Sequence, residues 1–388
     1  MNRRRLVAGC LACGVLAAGR TAWAQTKPAA DWAAPARFVR PEVASDEGGL
    51  WAIMDREERN LRRSPFLIRD EALNGYIRDI ACRLGGEHCA DVRVYIVNTP
   101  LFNASMAPNG MMQVWSGLLL RLENEAQLAA VLGHEIGHYL EKHTLERLRD
   151  VRGASAAAAF LSVFGLVGAI GQLALAAGLM SYSRDQETRA DRIGSTLMHR
   201  AGYDPAEAAK VWGNLLQEVQ ASPDGAGKTR TQMFATHPGI EERQQTLAEI
   251  AKSLPSGKAP AETWAERMRP YRMGWLHEEV KRGRYDESIA LLTRMAGSGI
   301  EVGSTLFARG ESYRLRGKEG DIDLALADFQ AALSAGSEPA ETHRSLGYVY
   351  RRKQQHPQAK ASLARYLELA PSAPDSSMVK SILEELGS

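Results

Sequence analysis

His134-Glu135-Ile136-Gly137-His138 sets two imidazoles and a carboxylate at the spacing that builds a hydrolytic metal site on a helix. Side chains four apart on an α-helix share a face, with Cβ atoms about 5–6 Å apart, close enough to converge on one ion. His134 and His138 are therefore candidate zinc ligands. Glu135 stands about 100° of helical turn from His134, so it lies beside the ion without binding it and can take a proton from the water there. From Asn124 to Lys142 the apolar residues Ala126, Leu128, Ala129, Leu132, Ile136 and Leu140 recur at helical spacing with no proline. The pentapeptide is expected on a long, regular helix.

A catalytic zinc takes three protein donors and leaves its fourth position to water. One class of zinc enzyme places a third His six residues after the second, but that position here is Thr144, and His143 is one residue out of place. The other class recruits a Glu from a later helix. In Ser183-Arg184-Asp185-Gln186-Glu187-Thr188-Arg189-Ala190-Asp191, the acids Glu187 and Asp191 again stand four apart. Glu187 reads as the third ligand of a single zinc ion. Asp191, one turn on, reads as the acceptor that holds a ligand His in its tautomer.

Taken together the two blocks resemble the M48 metallopeptidases, whose pattern is His-Glu-x-x-His followed some tens of residues later by Ser-Arg-x-x-Glu-x-x-Ala-Asp. Ser183, Arg184, Glu187, Ala190 and Asp191 fill every fixed position of the second block. Asn103-Ala104, Gly110 and Gly117-Leu118-Leu119 look like the family's strand pair ahead of the zinc helix. Thr236-His237-Pro238 with Arg243 looks like its late His-Pro block. The resemblance covers roughly residues 45 to 255 and implies a zincin-like domain of the gluzincin type. Substrate is expected to lie extended along the edge strand near Asn103 to Met106, with Asn103 and Ala104 binding it backbone to backbone and Arg243 supporting beside His237. His237 has two readings: donor to the tetrahedral oxyanion, or a cap on the fourth zinc position that excludes water.

Between the two blocks, Ala154 to Met180 is 27 residues with only Ser155, Ser162 and Gln172 polar, long enough for a membrane span. A single span would put the two His and Glu187 on opposite sides of a bilayer, whereas all three must come within about 2 Å of one ion. The segment is expected to turn back near Gly165, Gly168 or Gly171 as a helical hairpin. Such a hairpin is either buried or partner-facing, or makes peripheral contact with a membrane.

Arg3-Arg4-Arg5, the apolar run Leu6 to Ala18 and the small-x-small site Ala22-Trp23-Ala24 read as a secretory signal peptide, residues 1–24, cleaved after Ala24. The expected compartment is the bacterial periplasm. Val7-Ala8-Gly9-Cys10 looks like a lipoprotein box, but only four residues separate Arg5 from Cys10, too few for its apolar core. Without the four Arg of the leader, the formal charge goes from +2 to −2. No run of Lys or Arg interleaved with aromatics remains, which excludes nucleic-acid binding. Processing leaves Cys82 and Cys89, expected to form a disulfide worth roughly 2–3 kcal/mol in an oxidising compartment.

The chain divides into a loose segment 25–44, a peptidase domain 45–252, a linker 253–270 broken by Pro255, Gly257 and Pro260, and a repeat domain 271–388. In the repeat domain Leu346-Gly347, Tyr350, Ala359, Leu363 and Pro371 fall where a tetratricopeptide repeat places Leu-Gly, Tyr, Ala, a large apolar residue and Pro. An earlier copy carries Gly310, Tyr313, Gly317, Ala325, Phe329 and Ala332, and a weaker one spans Leu276 to Leu292 with Ser288 in the small position. Ser377 to Leu386 reads as a capping helix. The expected fold is mainly α with a small β-sheet, a zincin-like domain followed by an α-solenoid. Such stacks bind segments of other proteins. In composition the chain is similar to periplasmic M48 members with tetratricopeptide repeats. That resemblance implies a zinc endopeptidase of outer-membrane protein quality control, acting on unfolded or stalled chains and contacting the barrel assembly machinery. The alternative is a chaperone or assembly factor that works by binding through the repeats.

Overall fold

Ser45 opens the first helix, its side chain accepting from Gly48 N at 3.0 Å. The helix, α1 (Asp46–Arg62), carries Asp46 and Glu47 in its first turn and Arg59 and Arg62 in its last, the polarity that suits its macrodipole. This computed structural model describes residues 32–150, 181–222, 233 and 236–387. The expected signal peptide and the expected hairpin at 154–180 lie outside the described residues.

A four-stranded mixed sheet follows α1. Its strands are β1 (Leu67–Ile68), β2 (Arg93–Val97), β3 (Ala104–Met106) and β4 (Met111–Trp115), in the order β1-β2-β4-β3. β2 and β4 run parallel, and β3 folds back antiparallel on β4 with Ala104 opposite Val114. Every residue of β4 is buried, so β4 is the inner strand and β3 an edge. α2 (Glu71–Gly85) connects β1 to β2, and Cys82 in its last turn forms the expected disulfide with Cys89 just beyond it.

Two helices leave β4: α3 (Ser116–Arg121) and α4 (Glu125–Leu140). Asn124 caps α4 by accepting from Gln127 N at 2.9 Å, and all sixteen residues of α4 are buried. Leu128, Leu132 and Ile136 are fully enclosed, each contributing about 1.5–3 kcal/mol. α4 is thus the central rod of the peptidase half, which places the two His in the interior. Around it lie α5 (His143–Asp150), α6 (Arg184–Arg200), α7 (Ala206–Gln220) and α8 (Ile240–Lys252).

The C-terminal half is a series of helical hairpins. α9 (Ala261–Lys281) leads through a short turn into α10 (Tyr285–Gly297), which packs on α11 (Val302–Arg316); α11 pairs with α12 (Asp321–Ala335), and α13 (Glu341–Arg352) with α14 (His356–Leu369). α15 (Ser376–Glu385) closes the stack through Val379, packed with Leu363 and Tyr366. Two hairpins are built alike. A Cβ on Gly310 would stand 2.6 Å from the ring of Phe329, and one on Gly347 would stand 2.4 Å from Leu363. Only glycine lets these paired helices approach so closely.

Two expectations about segment boundaries need correcting. The expected linker 253–270 is helical from Ala261, because Trp264 and Met268 stand one turn apart and both bury completely. The indole Nε1 of Trp264 donates to Leu122 O at 2.9 Å, which ties α9 to the base of α4. Residues 32–44, expected to be loose, carry no helix or strand yet are held in place. Arg37 donates to both oxygens of Asp91 at 2.7 Å, and the Phe38 ring packs 5.1 Å from that of Tyr139. Proline-rich composition excluded regular structure there, not packing.

Residues 34–388 cluster as one unit. A buried ion network joins the halves: Arg121 on α3 donates to Glu218 of α7 at 2.7 Å and to Glu279 of α9 at 2.9 Å. Glu279 also accepts from Ser288 at 2.7 Å, and Glu218 from Arg294 at 2.8 Å. Among the described residues no helix is long and apolar enough to cross a membrane.

Candidate active site

Gly133 and Gly137 line one face of α4, and Ala190 and Gly194 line the facing side of α6. A Cβ on Gly137 would sit 3.0 Å from Ala190 O, and one on Gly194 would sit 2.9 Å from His134 N. The helices therefore cross backbone to backbone, closer than larger residues allow. This contact brings Glu187 and Asp191 to the His face of α4. α6 begins where it must: Ser183 Oγ accepts from Gln186 N at 3.2 Å while Gln186 Oε1 accepts from Ser183 N at 3.0 Å, a reciprocal cap. Gly194→Ala is expected to cost about 1–3 kcal/mol of stability, since the obstructing atoms are backbone and cannot rotate away. It should also weaken metal binding by pushing Glu187 off the His pair. Urea melts and a zinc titration that both match the parent would sink this reading.

His134 Nε2 and His138 Nε2 stand 3.0 Å apart. Glu187 places Oε2 3.5 Å from the first and Oε1 3.5 Å from the second. His237 Nδ1 lies 3.2 Å from His134 Nε2 and 2.9 Å from Glu187 Oε1. Donors bound to one tetrahedral zinc at 2.0–2.1 Å are roughly 3.3 Å from each other, which is the spacing seen here. All four side chains are buried, and their donor atoms lie within 4.8 Å of one another. The donor set fits a single metal ion.

The ring nitrogens facing away are also engaged. His134 Nδ1 is 2.9 Å from Asp191 Oδ1. Asp191 is gripped by Arg243, whose Nε and Nη2 donate to Oδ2 and Oδ1 at 2.9 and 2.7 Å. Arg243 lies over the Trp212 ring at 4.2 Å, and its Nη1 is 2.9 Å from Glu187 Oε2. The expectation that Arg243 contacts substrate is corrected here. It is buried, its fork occupied by Asp191 and its planar face by an indole, a site suited to a guanidinium.

Electrostatics follow from this burial. Burial alone would raise the Asp191 carboxyl, but Arg243 and His134 hold it far below the usual carboxylate range. Glu187 is likewise pushed up by burial and brought below its ordinary value by His237 and Arg243. Burial, reinforced by His134, pushes His138 well down, so its imidazole is neutral, as a ligand must be. Burial raises Glu135, the direction that makes a carboxylate a better proton acceptor near neutral pH. Its Oε1 lies 3.7 Å from His237 Nε2, beside the donor cluster but outside it.

Residues 68–251 match the profile described as peptidase family M48. They are an M48 peptidase domain. Similarity extends to the mitochondrial metalloendopeptidase OMA1 of Schizosaccharomyces pombe, 33% identical over 175 residues, which are 44% of this chain and 49% of that protein. The beta-barrel assembly-enhancing protease of Yersinia pestis is 30% identical over 228 residues, 53% and 45% of the two chains. A putative beta-barrel assembly-enhancing protease of Vibrio cholerae is 27% identical over 273 residues, 66% and 51%. The chain spans about half the length of the curated relatives it matches.

The M48 domain places the other candidate residues as follows. Ala104 opens β3, whose one strand neighbour among the described residues is β4. Asn103 is buried, its carbonyl accepting from Trp115 N at 3.1 Å. Sequence reasoning missed Tyr182, whose ring stacks on His138 at 3.9 Å, and Trp212 beneath Arg243. A signal for Tyr182 was present, an aromatic residue directly before the Ser183 cap. Trp212 had none, since a Trp on an amphipathic helix looks like ordinary core.

Proposed function

We propose that this chain is a zinc-dependent endopeptidase exported to the bacterial periplasm, cleaving unfolded or misassembled envelope proteins, with its C-terminal repeats docking substrate or an assembly partner. The observation that carries the reading is the donor geometry, with two His, one Glu and a third His as fourth donor near tetrahedral spacing and Glu135 alongside. When bound, zinc supplies Lewis-acid polarisation of the scissile carbonyl and activation of a water. Glu135 takes the proton of the attacking water and hands it to the leaving nitrogen. Asp191, kept ionised by Arg243, orients His134. An extended substrate would add to β3 at Ala104, a strand that among the described residues pairs with β4 alone, backbone to backbone, which favours unfolded chains. Envelope quality control is supported by the names of the relatives and by the reading of residues 1–24 as a signal peptide.

We read the helical hairpins as tetratricopeptide repeats. A cavity of about 170 Å³ opens on α9, α11 and α13, lined by Met273, Leu276, Val280, Phe307, Leu315 and Arg344. It is a candidate seat for a partner or substrate segment, the barrel assembly machinery among them.

Of the two readings of His237, the geometry favours the cap, because Nδ1 occupies the fourth corner of the donor set. The test is digestion of unfolded casein by the full chain. Activity should vanish on chelation and return with zinc. His237→Ala should raise it roughly tenfold, the gain when a contact of about 1.4 kcal/mol no longer holds the site closed. A fall of about 10²–10³-fold would assign His237 to the oxyanion instead. Unchanged activity and unchanged zinc content would remove both roles.

A further inference from the structure

His143, one residue out of place for a third zinc ligand, is fully buried at the start of α5 with its Nδ1 2.8 Å from Nδ1 of His138. The His138 ring is held on its other side by Tyr182, stacked at 3.9 Å and 20°, whose hydroxyl lies 3.1 Å from Thr144 Oγ1. Both contacts point Nε2 of His138 at His134 and Glu187 and turn Nδ1 away from them. A neutral imidazole that offers the lone pair of Nε2 to a metal carries its proton on Nδ1. Two protons cannot share the 2.8 Å between facing nitrogens, so His138 Nδ1–H donates and His143 Nδ1 accepts. His134 has the same arrangement with a different acceptor, the carboxylate of Asp191 at 2.9 Å.

We propose that His143 is a positioning residue of the metal centre: it accepts from His138 Nδ1–H, sets the tautomer and ring plane of that ligand, and so raises metal affinity. One ligand His leans on an anion and the other on a neutral imidazole. The two His ligands are thereby oriented with one carboxylate behind them rather than two, which limits the cost of desolvation. The proposal rests on the reading of His134, His138 and Glu187 as metal ligands.

The test measures zinc affinity of the full chain by competition with a chromophoric chelator, for the parent, His143→Phe and His143→Asn. Phenylalanine fills the space without an acceptor. Asparagine puts its amide oxygen where Nδ1 stood. His143→Phe should lower affinity by about 10–100-fold, and His143→Asn should stay within about threefold of the parent. The metal-free forms of all three should melt together. The visible spectrum of the cobalt-loaded protein should shift in the Phe variant and be restored in the Asn variant. If the Phe variant loses its cooperative melt, His143→Leu replaces it. Affinity of the acceptor-free variant within threefold of the parent overturns the proposal, as does an Asn variant that is as weak as the acceptor-free one. A parent chain that binds no zinc overturns the metal reading itself, a result distinguishable from either of these.

Discussion

Replacing Glu135 with Gln is expected to lower hydrolysis of an unfolded protein by about 10²–10⁴-fold, the range for loss of a positioned general base. Zinc affinity should stay within about threefold, since Glu135 lies beside the donor cluster rather than in it. The change removes a buried carboxylate that burial alone makes costly, so the variant should fold at least as well as the parent. Initial rates on casein, zinc content and a urea melt measured together decide the matter. Retained hydrolysis would sink the peptidase mechanism. Loss of zinc along with activity would make Glu135 a ligand and overturn its assignment as base. The same variant separates the two function classes: a chain that works by binding alone through its repeats should perform its cellular role with Gln at position 135.

Arg121→Ala is expected to destabilise the chain by about 3–5 kcal/mol, the cost of removing one partner from a buried ion network. Arg121 is almost fully enclosed, with side chains of Glu218 and Glu279 at its two ends and Gly117 O at 2.9 Å from Nη1. Burial pushes Glu279 up, and Arg121 is the first of the groups that bring it back below its ordinary value. Without the guanidinium, Glu279 keeps Ser288 and Arg282, and Glu218 keeps Arg294, but each loses its shortest link to α3. The midpoint of urea unfolding should fall, and the C-terminal hairpins should become easier to cleave from the M48 domain by an added protease. A loss under about 1 kcal/mol would show that these carboxylates are satisfied without Arg121.

The parts of the site that were legible in the sequence are those set by local geometry. Two His four apart must share a helical face, and α4 runs from Glu125 to Leu140, close to the expected span of Asn124 to Lys142. The Ser183 block was legible for the same reason, since its cap and its two acids all lie within three turns of one helix. The small residues Gly133, Gly137, Ala190 and Gly194 were in plain view, yet only the crossing of α4 and α6 shows what they are for. Arg243 was misplaced because its chemistry depends on Asp191, 52 residues away, and on Trp212 beneath it. Arg121 gave no signal at all. A lone Arg on a short helix looks like a solvated charge until Glu218 and Glu279, 97 and 158 residues along the chain, close around it.

The sequence by itself determined the chemistry available to this protein: two imidazoles four apart with a carboxylate between them, a later block with two more acids, and paired helices behind. Residue type and helical periodicity act over one or two turns, so they can be read without a fold. Only the tertiary structure decided which side chains serve the centre from outside. It brought Asp191 to His134, His143 to His138 and His237 beside His134, and it joined the C-terminal hairpins to the M48 domain through a buried network where a linker was expected. The reason is that buried polar groups must find partners wherever the fold offers them, and those partners come from elements far apart in the chain.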